Sequence, residues 1–128
     1  MNILAVDFGT KKMGLAWVDT GLKIVLPFGI ISGKNLAEIS QNFIKFVKTE
    51  KIDKIIFGLP LTQQGQECAN TARVRNFVED VTKHLFIPVE FVDERFSSQA
   101  ADQLGGEASR DEKSAMLILE DYLTRQKI

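Results

Sequence analysis

Four acidic residues stand at positions from which their carboxylates could be brought together. Asp7 lies inside the apolar run Ile3–Phe8, where desolvating a charge costs several kcal/mol unless it is compensated. Asp93 and Glu94 directly follow the last predicted strand, and Asp111 falls in the first turn of the final predicted helix. Carboxylates brought together repel one another unless a hard cation neutralises them, and sets of oxygen ligands suit Mg²⁺ or Mn²⁺.

The joint placement of these acids indicates phosphodiester chemistry. In open α/β sheets, ligands bind beyond the carboxyl ends of the strands, and two metal ions about 4 Å apart can activate a water and stabilise a leaving oxygen. Each acid alone also has a simpler interpretation. Asp7-Phe8-Gly9 is ordinary turn chemistry, Asp93-Glu94-Arg95 can form a surface ion pair, and Asp111 favours the helix dipole whatever its function.

Hydrophobic periodicity predicts the elements that position the acids. Three strands come first, at Ile3–Phe8, Met13–Asp19 and Ile24–Ile31, with a turn at 19–21 and Pro27 marking the third as an edge strand or a bulged one. The later elements are a helix capped by Asn35, a strand at Ile55–Phe57, a helix containing Val74–Leu85, a strand at Val89–Val92, a short helix from Ser97 or Ser98 to Leu104, a mobile loop at Gly105-Gly106, and a last helix opened by a Ser109–Glu112 capping box. Hairpin strands followed by strand–helix alternation predict an α/β fold, a mixed sheet with helices on its faces.

Size and composition predict a single globular domain over residues 1–128. The chain is 45% hydrophobic and 26% charged, with a formal net charge of -1, which argues against a strongly basic nucleic-acid coat but not against a nuclease with an acidic metal site. No apolar run approaches the roughly 20 residues of a membrane helix, so we expect no membrane association. One cysteine, Cys68, and no visible secretion signal fit a cytoplasmic protein.

Several sequence blocks resemble the YqgF (RuvX) family nearly end to end. The blocks are Val6-Asp7-Phe8-Gly9-Thr10-Lys11-Lys12-Met13-Gly14-Leu15-Ala16, Gly58-Leu59-Pro60-Leu61, Gly65-Gln66-Glu67, Arg73-Val74-Arg75-Asn76-Phe77, Val92-Asp93-Glu94-Arg95-Phe96-Ser97-Ser98, and Asp111 to Leu123. Members of this family are small bacterial proteins with an RNase H-like fold, described as Holliday-junction-resolvase-like or as nucleases maturing small-subunit ribosomal RNA. The sequence departs from the usual pattern at Lys12, where arginine is common, and at Thr62 and Gln64.

The resemblance implies a fold and a set of site residues. It implies an RNase H-like mixed five-stranded sheet of order 3-2-1-4-5, with the second strand antiparallel to its neighbours and the third at an edge. It implies catalytic carboxylates at Asp7, Glu94 and Asp111, which together with Asp93 are the expected ligands of two Mg²⁺ or Mn²⁺ ions. The expected phosphate contacts are Lys11, Lys12 and Arg95, with Arg73 and Arg75 extending that surface.

The sequence therefore predicts a metal-dependent nuclease for structured nucleic acid. The expected substrate is the 5′ end of pre-16S rRNA in ribosomal precursor particles, or a branched DNA such as a Holliday junction, cut to leave a 5′-phosphate by a monomer or weak homodimer. Two alternatives stay open. One is a nucleic-acid-binding or ribosome-associated factor without catalysis, and the other is an ATP-binding module of the actin or sugar-kinase type, whose first phosphate loop Asp7-Phe8-Gly9-Thr10 resembles.

Overall fold

A computed structural model of the chain describes residues 1–9, 11–62, 64–93 and 108–126. The strands are β1 (Asn2–Asp7), β2 (Lys12–Asp19), β3 (Ile24–Ser32), β4 (Lys54–Leu59) and β5 (Val89–Asp93), and the helices are α1 (Leu36–Thr49), α2 (Ala69–Thr82) and α3 (Arg110–Gln126). The predicted short helix that ends at Leu104 and the predicted mobile loop at Gly105-Gly106 lie outside these residues. No helix in the described ranges has the length and apolar character needed to cross a membrane.

The five strands form one mixed sheet of order β3-β2-β1-β4-β5, which confirms the predicted order. Strand β2 is antiparallel to β1 and to β3, while β1, β4 and β5 run parallel. The central strands read as continuous apolar runs because helices cover both of their faces. Leu4, Ala5 and Val6 of β1 are completely buried, as are Ile55 and Ile56 of β4.

Side chains alternate between two cores, one on each face of the sheet. Leu4 and Val6 point to the core that α1 and α2 cover, whereas Ile3 and Ala5 point to the core that α3 covers. On the last helix the buried stripe consists of Ala115, Ile118, Leu119 and Tyr122. On α1 the buried residues are Ile39, Phe43 and Val47, whereas Leu36, the first helical residue, is 43% exposed.

Strand β3 carries a bulge as well as a free edge. Gly14 of β2 pairs with Ile30, while Ala16 pairs with Pro27, so two residues of β3 face one residue of β2. Gly29, one of those two, has φ +94, a conformation that favours glycine. Pro27 predicted an edge strand or a bulged one, and β3 is both.

A polar cluster ties the far end of α3 to the sheet. The Lys54 ammonium of β4 donates to the Tyr122 hydroxyl at 2.5 Å, and that hydroxyl donates to Glu90 of β5 at 2.9 Å. Lys54 and Glu90 also form an ion pair. The Lys54 ammonium holds the pKa of Glu90 below its ordinary value, and Glu90 in turn raises the pKa of Lys54. This cluster fixes the C-terminal end of α3, which lies at the other end of the sheet from Asp7.

Candidate active site

Asp7 ends β1 at the rim of the sheet, where the parallel strands reach their carboxyl ends. It follows Ile3 and Ala5 in the alternation, so its side chain lies on the face covered by α3. Its partner on β2 is Gly14. Gly14 therefore places no side chain of its own beside the half-buried Asp7.

The missing side chain of Gly14 lets the first turn of α3 settle on the sheet. A Cβ at Gly14 would lie 2.1 Å from the carbonyl oxygen of Asp111, 2.2 Å from its carbonyl carbon and 2.8 Å from its Cβ. Gly14 directly opposes Asp7, and directly opposed residues of an antiparallel pair face the same side of the sheet with their Cα atoms about 5 Å apart. Asp111 is therefore placed beside Asp7, although the two are separated by most of the chain.

Lys12 completes a charged group around Asp111. Its ammonium lies 3.2 Å from Asp111 Oδ2, and its side chain is 59% exposed while that of Asp111 is 29% exposed. Gly9 permits the tight turn before it, because a Cβ there would lie 2.3 Å from the Lys12 carbonyl oxygen. Lys11 is exposed beside it. The turn therefore holds two cations at the rim where Asp7 and Asp111 meet.

Glu112 fastens α3 at two points. Its Oε1 accepts from the Ser109 amide at 3.1 Å and from the Ser109 hydroxyl at 3.0 Å, and that hydroxyl accepts from the Glu112 amide at 3.1 Å. The predicted capping box is thus confirmed. The other carboxylate oxygen, Glu112 Oε2, accepts from the Gly29 amide of the β3 bulge at 2.9 Å. Burial alone would raise the pKa of Glu112, but these donors together lower it.

Asp93 lies on the opposite face of the sheet from Asp7 and Asp111. It pairs with Leu59 of β4, which belongs to the core under α1 and α2, whereas the preceding Val92 belongs to the core under α3. The structure therefore does not bring Asp93 together with the other two acids. Glu94 and Arg95, the next residues, lie outside the described part of the chain.

Arg73 and Arg75 lie on α2, away from Asp7. Arg75 pairs with Glu67 through Nε–Oε1 at 2.7 Å and Nη2–Oε2 at 3.3 Å, and its guanidinium lies 5.3 Å from the centre of the Phe91 ring. Arg73 donates to Asn70 Oδ1 at 2.7 Å. Both arginines therefore have protein partners on the face where α2 packs, so in this conformation they do not join the Asp7 group.

The segment between β4 and α2 is pinned at the same rim of the sheet. Thr71, which is completely buried, donates its hydroxyl to the Pro60 carbonyl and accepts from the Cys68 amide at 3.0 Å. The Thr62 hydroxyl accepts from the Gln66 amide at 3.1 Å. Cys68 is the exposed N-cap residue of α2, in keeping with its expected place at a helix start.

Sequence reasoning missed several residues that shape the site. Gly14 and Gly29 were not singled out, although a glycine inside an apolar strand is a signal of close backbone approach or of a bulge. Arg110 and Lys113 were also missed. Arg110 precedes Asp111 by one position and Lys113 follows it by two, in the first turn of α3.

The donor set fits a hard divalent cation in part. Within the described ranges, no group of three or more acidic, histidine or cysteine side chains could hold a metal ion. Asp7 and Asp111 supply carboxylate oxygens from two elements at one rim, and oxygen donors are the type that Mg²⁺ and Mn²⁺ prefer. Glu94, the other expected catalytic carboxylate, lies outside the described part of the chain.

The arrangement of strands is shared with solved resolvase structures. RuvC of Thermus thermophilus in complex with Holliday junction substrate superposes with a TM-score of 0.69 at 10% identity, covering 99% of this chain and 97% of that one. The Thermus thermophilus RuvC structure gives 0.65 at 11% identity, covering 98% and 96%. At such identities the likeness shows the fold alone. The chain has the RNase H-like fold of the RuvC-type resolvases.

Sequence comparison identifies the family. The model of RuvX, described as Holliday junction resolvase, matches residues 1–125. A protein of Maridesulfovibrio salexigens named "Putative pre-16S rRNA nuclease" is 32% identical over 134 residues, covering 98% of this chain and 99% of that protein. One of the same name from Bordetella pertussis is 38% identical over 123 residues, covering 95% and 92%. The chain belongs to the RuvX (YqgF) family.

Proposed function

We propose that this chain is a nuclease that hydrolyses phosphodiester bonds in structured nucleic acid. The observation that carries the proposal is the seating of Asp111 on Gly14 opposite Asp7, which gathers two carboxylates at the carboxyl ends of the parallel strands. Membership of the RuvX family supports it. The leading substrate is pre-16S rRNA, because the curated relatives are named "Putative pre-16S rRNA nuclease", and we propose its 5′ region as the part that is cut. A Holliday junction is the second candidate.

Nucleases of the resolvase-like class generally use divalent metals, and we propose Mg²⁺ or Mn²⁺ here, with two ions. Asp7, Glu94 and Asp111 are the proposed ligands, and Asp93 is left out of the set because it faces the other side of the sheet. The ions would supply electrostatic activation of the attacking water and stabilisation of the leaving oxygen. The role of Asp7 and Asp111 is to hold their carboxylates in fixed positions on rigid elements, the end of a central strand and the first turn of a packed helix.

Cations around the acids would bind the phosphodiester backbone. Lys11 and Lys12 stand on the turn next to Asp7, and Arg110 and Lys113 stand on either side of Asp111. Arg95 is proposed to extend this group from the segment after β5. Arg73 and Arg75 are proposed as outer contacts only, since each has a protein partner.

The cellular setting follows from the substrate. Trimming one RNA end needs one copy of the site, whereas cutting two symmetric strands of a junction needs a dimer. We propose a cytoplasmic monomer or weak homodimer acting on ribosomal precursor particles.

The proposal is tested by cleavage of two labelled substrates, a pre-16S rRNA 5′ region and a four-way DNA junction, with Mg²⁺ or Mn²⁺. Wild type is compared with Asp7→Asn and with Asp80→Asn, a control on an exposed residue at the far end of α2. We expect wild type and Asp80→Asn to cut one substrate and Asp7→Asn to cut neither. Equal cutting by all three proteins would overturn the assignment of Asp7. Binding without cutting by wild type would favour a non-catalytic RNA- or DNA-binding factor.

A further inference from the structure

Glu112 joins the first turn of α3 to an edge of the sheet that is distant in sequence. Its partner Gly29 lies on the β3 bulge, 83 residues away along the chain. The bulge is what makes this contact possible, because Gly29 has φ +94 and its position is skipped in the pairing of β3 with β2. Its amide is therefore aimed at α3.

Both oxygens of the Glu112 carboxylate are used. Oε1 takes two donors from Ser109, at 3.1 and 3.0 Å, and Oε2 takes the Gly29 amide at 2.9 Å. The half-buried side chain receives only donors from these groups, which suits an ionised carboxylate. Glutamine in its place keeps one acceptor and turns an NH₂ group toward one of those donors.

The neighbouring Asp111 depends on this anchor. Its backbone rests on Gly14, a contact that limits approach but does not prevent sliding or retreat. Its carboxylate pairs with Lys12, a long side chain that is 59% exposed and therefore weakly restrained. The next residue, Glu112, instead accepts three hydrogen bonds of ordinary length through its carboxylate. Two come from Ser109 within the helix turn and one comes from Gly29 of the sheet.

We propose that Glu112 is a positioning residue for the site: by tying α3 to the β3 bulge it sets the place of the Asp111 carboxylate relative to Asp7. The inference rests on the proposed function, in which Asp111 is a metal ligand. Gly29 shares this positioning role, because its amide is the group on the sheet that holds Glu112. Its strand, β3, contributes none of the proposed ligands. Groups that orient a ligand change metal affinity by about 10- to 100-fold when they are removed.

The first test separates positioning from general stability. Mn²⁺ is titrated into wild type, Glu112→Gln and Tyr122→Phe, and both the rise in melting temperature and the Mn²⁺ concentration for half-maximal cleavage are measured. Tyr122→Phe removes hydrogen bonds of the same helix at its other end, so it lowers stability without touching the anchor. We expect Glu112→Gln to raise the half-maximal Mn²⁺ concentration about tenfold and Tyr122→Phe to leave it at the wild-type value.

The second test is a double-mutant cycle between the two ends of the anchor. Gly29→Ala meets no atom within 4 Å, so it acts only by straining the backbone at φ +94 and turning the amide away. We expect Gly29→Ala to raise the half-maximal Mn²⁺ concentration, Glu112→Ala to raise it at least as much because it also removes the bonds to Ser109, and the double variant to equal Glu112→Ala, because the link to Gly29 is then already broken. Effects that multiply would overturn the proposal, as would unchanged Mn²⁺ dependence in Glu112→Gln. Absence of any Mn²⁺ effect on wild type would instead overturn the proposed function and this inference with it.

Discussion

Replacing Gly14 by alanine tests how closely α3 is seated on the sheet. The new Cβ would lie 2.1 Å from the Asp111 carbonyl oxygen and 2.2 Å from its carbonyl carbon. Since ordinary contacts between heavy atoms lie near 3.5 Å, the first turn of α3 must retreat by about 1.3–1.4 Å. Both atoms belong to the backbone, so no side-chain rotation can relieve the overlap.

The magnitude follows from two opposing effects. Overpacking of this kind costs about 1–3 kcal/mol, while replacing glycine within a strand returns about 0.5–1 kcal/mol, largely from the unfolded state. We expect a net loss of about 1–2 kcal/mol, or about 4–8 °C in melting temperature for a chain of this size. A 1 Å displacement of a catalytic group lowers turnover about 100-fold, so cleavage should fall much more than stability.

The assay combines urea unfolding, thermal unfolding and cleavage kinetics for wild type, Gly14→Ala and Gly21→Ala. Gly21 is the matched control, because its added Cβ would meet only a side-chain oxygen of Asp19, at 3.3 Å. We expect Gly21→Ala to resemble wild type in all three measurements. If Gly14→Ala matches wild type in stability and turnover, the close seating of Asp111 and the reasoning built on it are refuted.

Three further predictions concern other contacts. Thr71→Val removes a buried donor to the Pro60 carbonyl, so urea unfolding should show a loss of about 1–3 kcal/mol, whereas Thr71→Ser should stay near wild type. The ion pair of Lys54 with Glu90 should make stability depend on pH at both extremes. The lowered pKa of Glu90 gives stability that is present above its ordinary value of 4.5 and lost as the pH falls through the folded value. The raised pKa of Lys54 gives stability that is present below 10.5 and lost as the pH rises through the folded value. Melting curves of Glu90→Gln, which lacks the charge, should show a smaller loss at both extremes, since Tyr122 still contacts Lys54 and Glu112 keeps its own lowered pKa. Lys12→Ala should weaken substrate binding and reduce the salt slope of the binding constant by about one charge, and an unchanged slope would remove Lys12 from the phosphate contacts.

Local signals in the sequence predicted most of the fold. The apolar runs, the Asn35 cap and the Ser109–Glu112 box each depend on residues within a few positions of one another, and each is confirmed. Pro27 correctly predicted that the third strand is an edge strand or a bulged one, because proline lacks the amide that a central strand needs. The strand order needed the family resemblance, since periodicity does not say which strands are neighbours.

The site was harder to predict because its geometry depends on contacts between distant segments. Nothing near Gly14 in the sequence shows that Asp111 rests on it, and nothing near Glu112 indicates Gly29. Asp93 is a different case. Val92 is buried under α3, so strict alternation along β5 already assigns Asp93 to the other face. That assignment needed only one fact absent from the sequence, namely which face α3 covers.

The seating of α3 on Gly14 has a consequence for synthesis. Asp7 and Gly14 emerge early from a translating ribosome, whereas Asp111 emerges only after β4, α2 and β5. Domains that depend on long-range contacts finish folding late. The nascent chain therefore carries its first carboxylate without its second. Under the proposed assignment of Asp7 and Asp111 as ligands, the site is assembled only after α3 has left the exit tunnel and docked.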